Sequence, residues 1–262
     1  MARHLVLRQL GGMLLLLAIA CGGGRRSNQP DVSPVPVTAS SAMIDSLWRQ
    51  SQWSVRHGKW SDAAKLLDRV LLEFAPGDPR IARAHFFMGE ADYAQGKHLE
   101  AAREFRKASD ETPNDPIAAE ALLRLGDVYA DLWRRPELDP TYGQTALATY
   151  QELLNRYPAS KAADRAQLRI AELNERFAYK AYKSAVFYFR LKAYDSAILY
   201  LKDLVANYPK ASVVPDALIK LVQAYKTLGY REDVQETCGY IRRFHPKTPG
   251  ASEVCPAEPA GA

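Results

Sequence analysis

At 262 residues, 47% hydrophobic and 25% charged, the chain is long enough for one extended domain or two compact ones. Glycine is sparse away from the ends and runs of β-branched residues are missing, which excludes a sheet-based protein and favours an all-α one. A formal charge of +5, with no dense Lys/Arg run, excludes nucleic-acid binding as the organising function.

The chain opens with Arg3, His4 and Arg8, followed by an apolar run from Leu10 to Ala20 that is about half the length needed to span a bilayer. A basic start, a short apolar core and a small-residue exit predict a secretory signal over residues 1–20. The exit, Leu17-Ala18-Ile19-Ala20-Cys21-Gly22, resembles a bacterial lipoprotein cleavage box, with Ala18 where such boxes usually carry Leu. That resemblance implies lipidation of Cys21. It also implies the outer membrane, because Gly22 replaces the aspartate that favours inner-membrane retention. More than one acyl chain is needed there, since a single chain anchors only marginally. Residues 21–41, rich in Gly, Pro and Ser, predict a flexible lipidated tether.

Beyond the tether a helical pattern repeats. Ala63, Ala101, Ala146, Ala197 and Val234 each precede a proline, Pro76, Pro113, Pro158, Pro209 and Pro246, by 12 or 13 residues. In Lys192–Pro209 the apolar positions Ala197, Ile198, Leu201, Leu204 and Val205 recur at helical spacing, with Asp195 placed to cap the start. Such a stripe is too small to fold alone and needs a partner helix. Gly89, Gly96, Ala101, Phe105 and Pro113, and again Leu125, Gly126, Tyr129, Ala146, Tyr150 and Pro158, match the tetratricopeptide signature. The expected fold is therefore all-α, a right-handed superhelix of about five helical hairpins. In it a Gly or Ala permits each close crossing, and Phe105 or Tyr150 fills the gap to the next pair.

Units one to three occupy residues 42–132, and the rest of unit three with units four and five occupies 133–246. The third unit carries about eight extra residues between Leu132 and a second helix beginning near Thr145. Two readings of this insertion stay open: a contact-bearing projection or a solvated loop. The fourth opens with an uninterrupted stretch from Lys161 to Lys192, roughly 45 Å long if helical. Residues 247–262 predict a disordered tail.

Leader, tether, five units, the insertion and the long helix together resemble the BamD family, lipoprotein subunits of the outer-membrane β-barrel assembly machinery. The resemblance covers about residues 42–246 and is most specific from Asp139 to Pro209, including the helix ends Tyr157-Pro158 and Tyr208-Pro209. It implies a periplasm-facing scaffold without catalysis. The amino-terminal units would meet unfolded outer-membrane protein clients, and the carboxy-terminal units the periplasmic domains of a BamA-like barrel protein. The alternative is another periplasmic tetratricopeptide adaptor lipoprotein, serving envelope constriction or peptidoglycan synthesis.

No enzyme chemistry stands out. The histidines His4, His57, His85, His98 and His245 show no metal-ligand spacing, and neither a phosphate-binding Gly loop nor GxSxG or HExxH is present. No cofactor is expected. Counting from the signature places Trp48, Gln52, Arg56, Arg83, Phe86, Glu90, Tyr93, Leu123 and Asp127 along a client-binding groove on the first helices. Trp48 and Phe86 fit equally well as inter-helix core. Aromatics beside arginines suit an extended peptide ending in an aromatic residue and a carboxylate. Tyr200, Lys202, Lys226 and Arg231 are placed on the partner side by location alone. Cys238 and Cys255 are candidates for a disulfide in an oxidising compartment, although Cys238 also fits a buried stripe position.

Overall fold

The computed structural model describes residues 40–256. The leader, the lipidation candidate Cys21 and nearly all of the tether lie outside the described residues. Among the described residues no strand occurs, and no helix is long and apolar enough to cross a membrane.

Five hairpins follow one another: α1 (Ser41–Arg56) with α2 (Trp60–Glu73), α3 (Ile81–Ala94) with α4 (His98–Glu111), α5 (Pro116–Leu132) with α6 (Thr141–Arg156), α7 (Lys161–Arg190) with α8 (Tyr194–Asn207), and α9 (Val214–Leu228) with α10 (Arg231–Phe244). A short α11 (Ala251–Val254) ends the described chain. From α1 to α10 each helix packs on the next, α11 rests on α9, and α1, α3, α5 and α7 also touch in succession, forming an inner layer. The architecture is an α-solenoid of tetratricopeptide type.

Local chemistry sets the helix ends. Ser40, Asp115 and Ser160 accept hydrogen bonds from the backbone N–H groups of Met43, Ile117 and Ala163, satisfying donors that the helix cannot. Asp195 does not cap α8; it lies in the first turn, where its charge favours the helix dipole. Four hairpin turns close alike, with a left-handed residue whose neighbour donates five residues back: Lys59 to Ser54, Lys97 to Asp92, Ala193 to Tyr188 and Tyr230 to Tyr225. The left-handed residue is Gly58, Gly96 and Gly229 in three of them, but Lys192 (φ 61°) in the fourth.

The crossings are tighter than the signature alone predicts. A Cβ on Gly89 would stand 2.8 Å from the Phe105 ring, and one on Gly126 would stand 2.3 Å from that of Tyr150. Phe105 and Tyr150, both fully buried, thus fill the crossing of their own hairpin as well as the joint to the next.

The long α7 serves two cores. Its Ala166, Leu173 and Phe177 complete the cluster built on hairpins two and three, and its Ala178 and Ala185 enter the cluster of α8, α9 and α10. Leu168 is 67% exposed, because it falls on the opposite side of the helix from Ala166 and Leu173.

The insertion is docked. The Trp133 ring is buried against Gly143 and Phe177, with the Arg176 guanidinium 4.6 Å from its centroid. Lys180 donates to the carbonyls of Glu137 and Leu138 at 3.1 and 2.7 Å. These contacts let α6 start at Thr141, four residues earlier than expected, with Asp139 receiving the Thr141 N–H.

Residues 247–256 also depart from expectation. They are a docked segment rather than a disordered tail, carrying α11 and a Cys238–Cys255 disulfide. A covalent tie between distant residues leaves no trace in hydrophobic periodicity.

Candidate functional site

The inner layer carries a continuous row of charges. Arg124 on α5 reaches back to α3, with Nε 2.5 Å from Oε1 and Nη2 3.2 Å from Oε2 of Glu90. Its Nη1 lies 3.4 Å from Asp127, which also receives Nε of Arg169 on α7 at 3.1 Å and the Tyr150 hydroxyl at 2.8 Å. Arg169 ends the row on Glu172. Three consecutive first helices are thereby bridged by alternating charge.

Aromatic rings stand beside this row. The Arg124 guanidinium lies 4.8 Å from the Tyr93 ring centroid and 5.7 Å from that of Phe105, and the Tyr93 hydroxyl donates to Asp131. Burial and the Asp131 carboxylate push the Tyr93 hydroxyl up to about 12. Burial, with Asp127 beside it, raises Tyr150 further. Burial disfavours the charged form of Arg124, but Glu90 and then Asp127 outweigh it and hold the guanidinium firmly protonated.

Of the sequence-predicted groove residues, Glu90, Tyr93 and Asp127 meet in this network. Arg56 and Arg83 are exposed, Gln52 is half-buried, and none of the three makes an ion pair among the described residues. Phe86 is partly buried, edge-on to Phe105 at 5.5 Å. Two positions belong to the core instead. Trp48 packs at 5.9 Å from both Phe74 and Phe87, and Leu123 is 3% exposed. Phe74 at the end of its own hairpin and Phe87 of α3 cover Trp48, and α5 is packed between α4 and α6, so both residues lose their solvent face.

Arg124, Asp131 and Arg169 escape the sequence reading. Arg124 follows the groove position Leu123 by one residue, which flank counting passes over. Arg169 lies on a helix with no glycine signature from which to count.

Of the four residues expected on the partner side, Lys226 and Arg231 line one concavity with Tyr225, Tyr230, Val234 and Pro256. Lys202 lines a neighbouring one that shares Tyr225. Tyr200 stands apart, stacked on Tyr188 at 5.3 Å. The four therefore form two adjacent clefts and one separate ring pair.

Comparison with known proteins gives this arrangement a lineage. The chain is 25% identical over 178 residues to the outer membrane protein assembly factor BamD of Caulobacter vibrioides, covering 68% of this chain and 58% of that protein. It is 24% identical over 270 residues to the BamD of Xylella fastidiosa strain 9a5c, covering 98% of this chain and 87% of that one. The chain thus spans little more than half the length of the Caulobacter relative. Among solved structures, the TPR2AB domain of yeast Sti1 superposes at a TM-score of 0.42 with 13% identity, over 78% of each chain, too loosely to bear on function. The YfiO model, described as outer membrane lipoprotein, matches residues 41–239, the run of all five hairpins almost to its end. By that match the chain belongs to the YfiO family of outer membrane lipoproteins.

Proposed function

We propose that this chain is a non-catalytic scaffold of the outer-membrane β-barrel assembly machinery, anchored through a lipidated Cys21 on the periplasmic face of the outer membrane. In this reading the inner face of hairpins one to three receives unfolded outer-membrane proteins. Hairpins four and five hold the periplasmic domains of a BamA-like barrel protein, with the clefts at Lys202, Lys226 and Arg231 as the contact region.

The observation that supports it best is the inner-face row from Glu90 through Arg124 and Asp127 to Arg169, with Tyr93 beside it. It is a fixed polar and aromatic surface suited to holding a chain in extended form. Arg124 already answers to Glu90 and Asp127, so an incoming carboxylate is received at Arg56 or Arg83, which are exposed and make no ion pair among the described residues. The relatives' name, outer membrane protein assembly factor, fits the same role.

The test is mild detergent extraction of envelopes, capture on a carboxy-terminal tag and identification of co-purifying proteins. A BamA-like barrel protein is the expected companion. A peptidoglycan synthase complex in its place would transfer the chain to envelope-growth adaptors. Labelled palmitate is expected on the native chain and absent from Cys21→Ser.

A further inference from the structure

Among the described residues, the segment after α10 is tied to the body by one covalent bond and a small apolar contact with α9. Cys238 is fully buried on α10 between Val234 and Ile241, and its sulfur is bonded to the half-buried Cys255. The segment's backbone hydrogen bonds close locally, Thr248 to His245, Val254 to Gly250 and Cys255 to Ala251. With four residues, α11 is roughly a third of the length at which an isolated helix becomes even marginal in water. Thr248 brings a buried hydroxyl without a partner, so part of the docking opposes itself. Beside the bond stand the edge packing of Ala251, Val254 and Cys255 and, among the contacts of Arg242, a hydrogen bond to the Pro256 carbonyl. Pro256 in turn walls the concavity that holds Lys226 and Arg231.

We infer that Cys238–Cys255 is a redox latch: a dithiol reductant opens it, the segment undocks, and the Lys226–Arg231 concavity loses its Pro256 wall. The exchange has one accessible entry. A thiolate of the reductant attacks Cys255 Sγ, because Cys238 is shielded, and a mixed disulfide forms as the Cys238 thiolate leaves and takes up a proton. The reductant's second thiolate then attacks its own sulfur in that mixed disulfide and releases the Cys255 thiolate, which is protonated in turn. The chain has gained two electrons and two protons, and the dithiol has become a disulfide. Cys238 is a poor leaving group because its surroundings are apolar, so a dithiol, whose second step is intramolecular, succeeds where a monothiol stalls. The consequence for a partner at this concavity rests on hairpins four and five being the partner side; the latch itself does not.

Hydrogen exchange of the full-length chain in detergent, with and without dithiothreitol, tests it. On reduction the amides of residues 251–255 are expected to exchange at least tenfold faster, and Cys238 to become open to iodoacetamide, while α8 and α9 keep their protection. Cys255→Ser is expected to show the reduced pattern without reductant. Unchanged protection of residues 251–255 after full reduction overturns the latch. So does loss of protection throughout α9 and α10, which would make the bond a staple of the hairpin itself. Failure to capture a barrel protein sinks the proposed function and leaves these exchange readings intact.

Discussion

Arg124 grips Glu90 with two nitrogens, so a residue of the third hairpin is fixed to the second across the inner layer. Both side chains are about three-quarters buried, at 22% and 24% exposure, so screening by solvent is limited. Arg124→Ala strands the Glu90 carboxylate and is expected to cost about 2–3 kcal/mol in urea unfolding. Arg124→Lys keeps the charge but loses the fork, and is expected to recover only part of that.

Two backbone substitutions are expected to act with opposite sign. Gly126→Ala drives a methyl into the Tyr150 ring, which is fully buried and held by Asp127, and should cost about 3 kcal/mol. Lys192→Gly removes a side chain from a left-handed position where the equivalent turns carry glycine, and should gain about 1 kcal/mol. Thermal midpoints of the two variants on either side of the parent are the check.

Trp133 joins the insertion to α7. Trp133→Ala is expected to cost about 3–5 kcal/mol and to speed hydrogen exchange over residues 133–140. Trp133→Phe gives up volume but also removes an indole N–H that is buried without a partner, so its cost should stay below about 1.5 kcal/mol.

Stability should fall in acid. Burial disfavours ionised Glu104, but His85 at 2.6 Å and Lys107 at 2.8 Å outweigh it and hold the carboxyl below its ordinary value of 4.5. Glu152 stands likewise between Arg106 and Arg156. A carboxyl lowered in the folded state binds fewer protons than in the unfolded one. Its stabilisation is complete above the ordinary value and is lost as pH drops through the folded value. Glu104→Gln is expected to flatten the loss below about pH 4.5. Asp92, which burial pushes upward, acts in the opposite sense, so the difference between parent and variant profiles is decisive.

Arg56→Glu combined with Tyr93→Ala is expected to weaken binding of a peptide copied from a client's last strand at least tenfold, at about 1 kcal/mol per lost contact. Fluorescence anisotropy reads the affinity. Arg103→Glu, on the exposed flank of α4, should leave it unchanged. Equal affinities for the double variant and the parent would remove the inner face from consideration.

The repeat was legible because each hairpin needs the same small residue at its crossing and the same stop at its end; Gly89 with Phe105 and Gly126 with Tyr150 are those crossings. The inner face was legible only by angle. Glu90, Tyr93 and Asp127 fall on the face that counting assigns them, whereas Trp48 and Leu123 share that angle and are buried by neighbouring hairpins. Depth depends on how far one hairpin overlaps the next, which no single helix encodes. Arg176, stacked on Trp133, is legible from neither helix, since the contact exists only after the insertion folds onto α7.

The thirty-residue α7 has a mechanical consequence. One unbroken rod places Phe177 in the core of the second and third hairpins and Ala178, the very next residue, in the core of the last two. It acts as a splint across that seam, so bending there would have to break the helix itself. A displacement of the final hairpins is therefore passed along the same helix toward the Arg169–Asp127 bridge, where α7 meets α5.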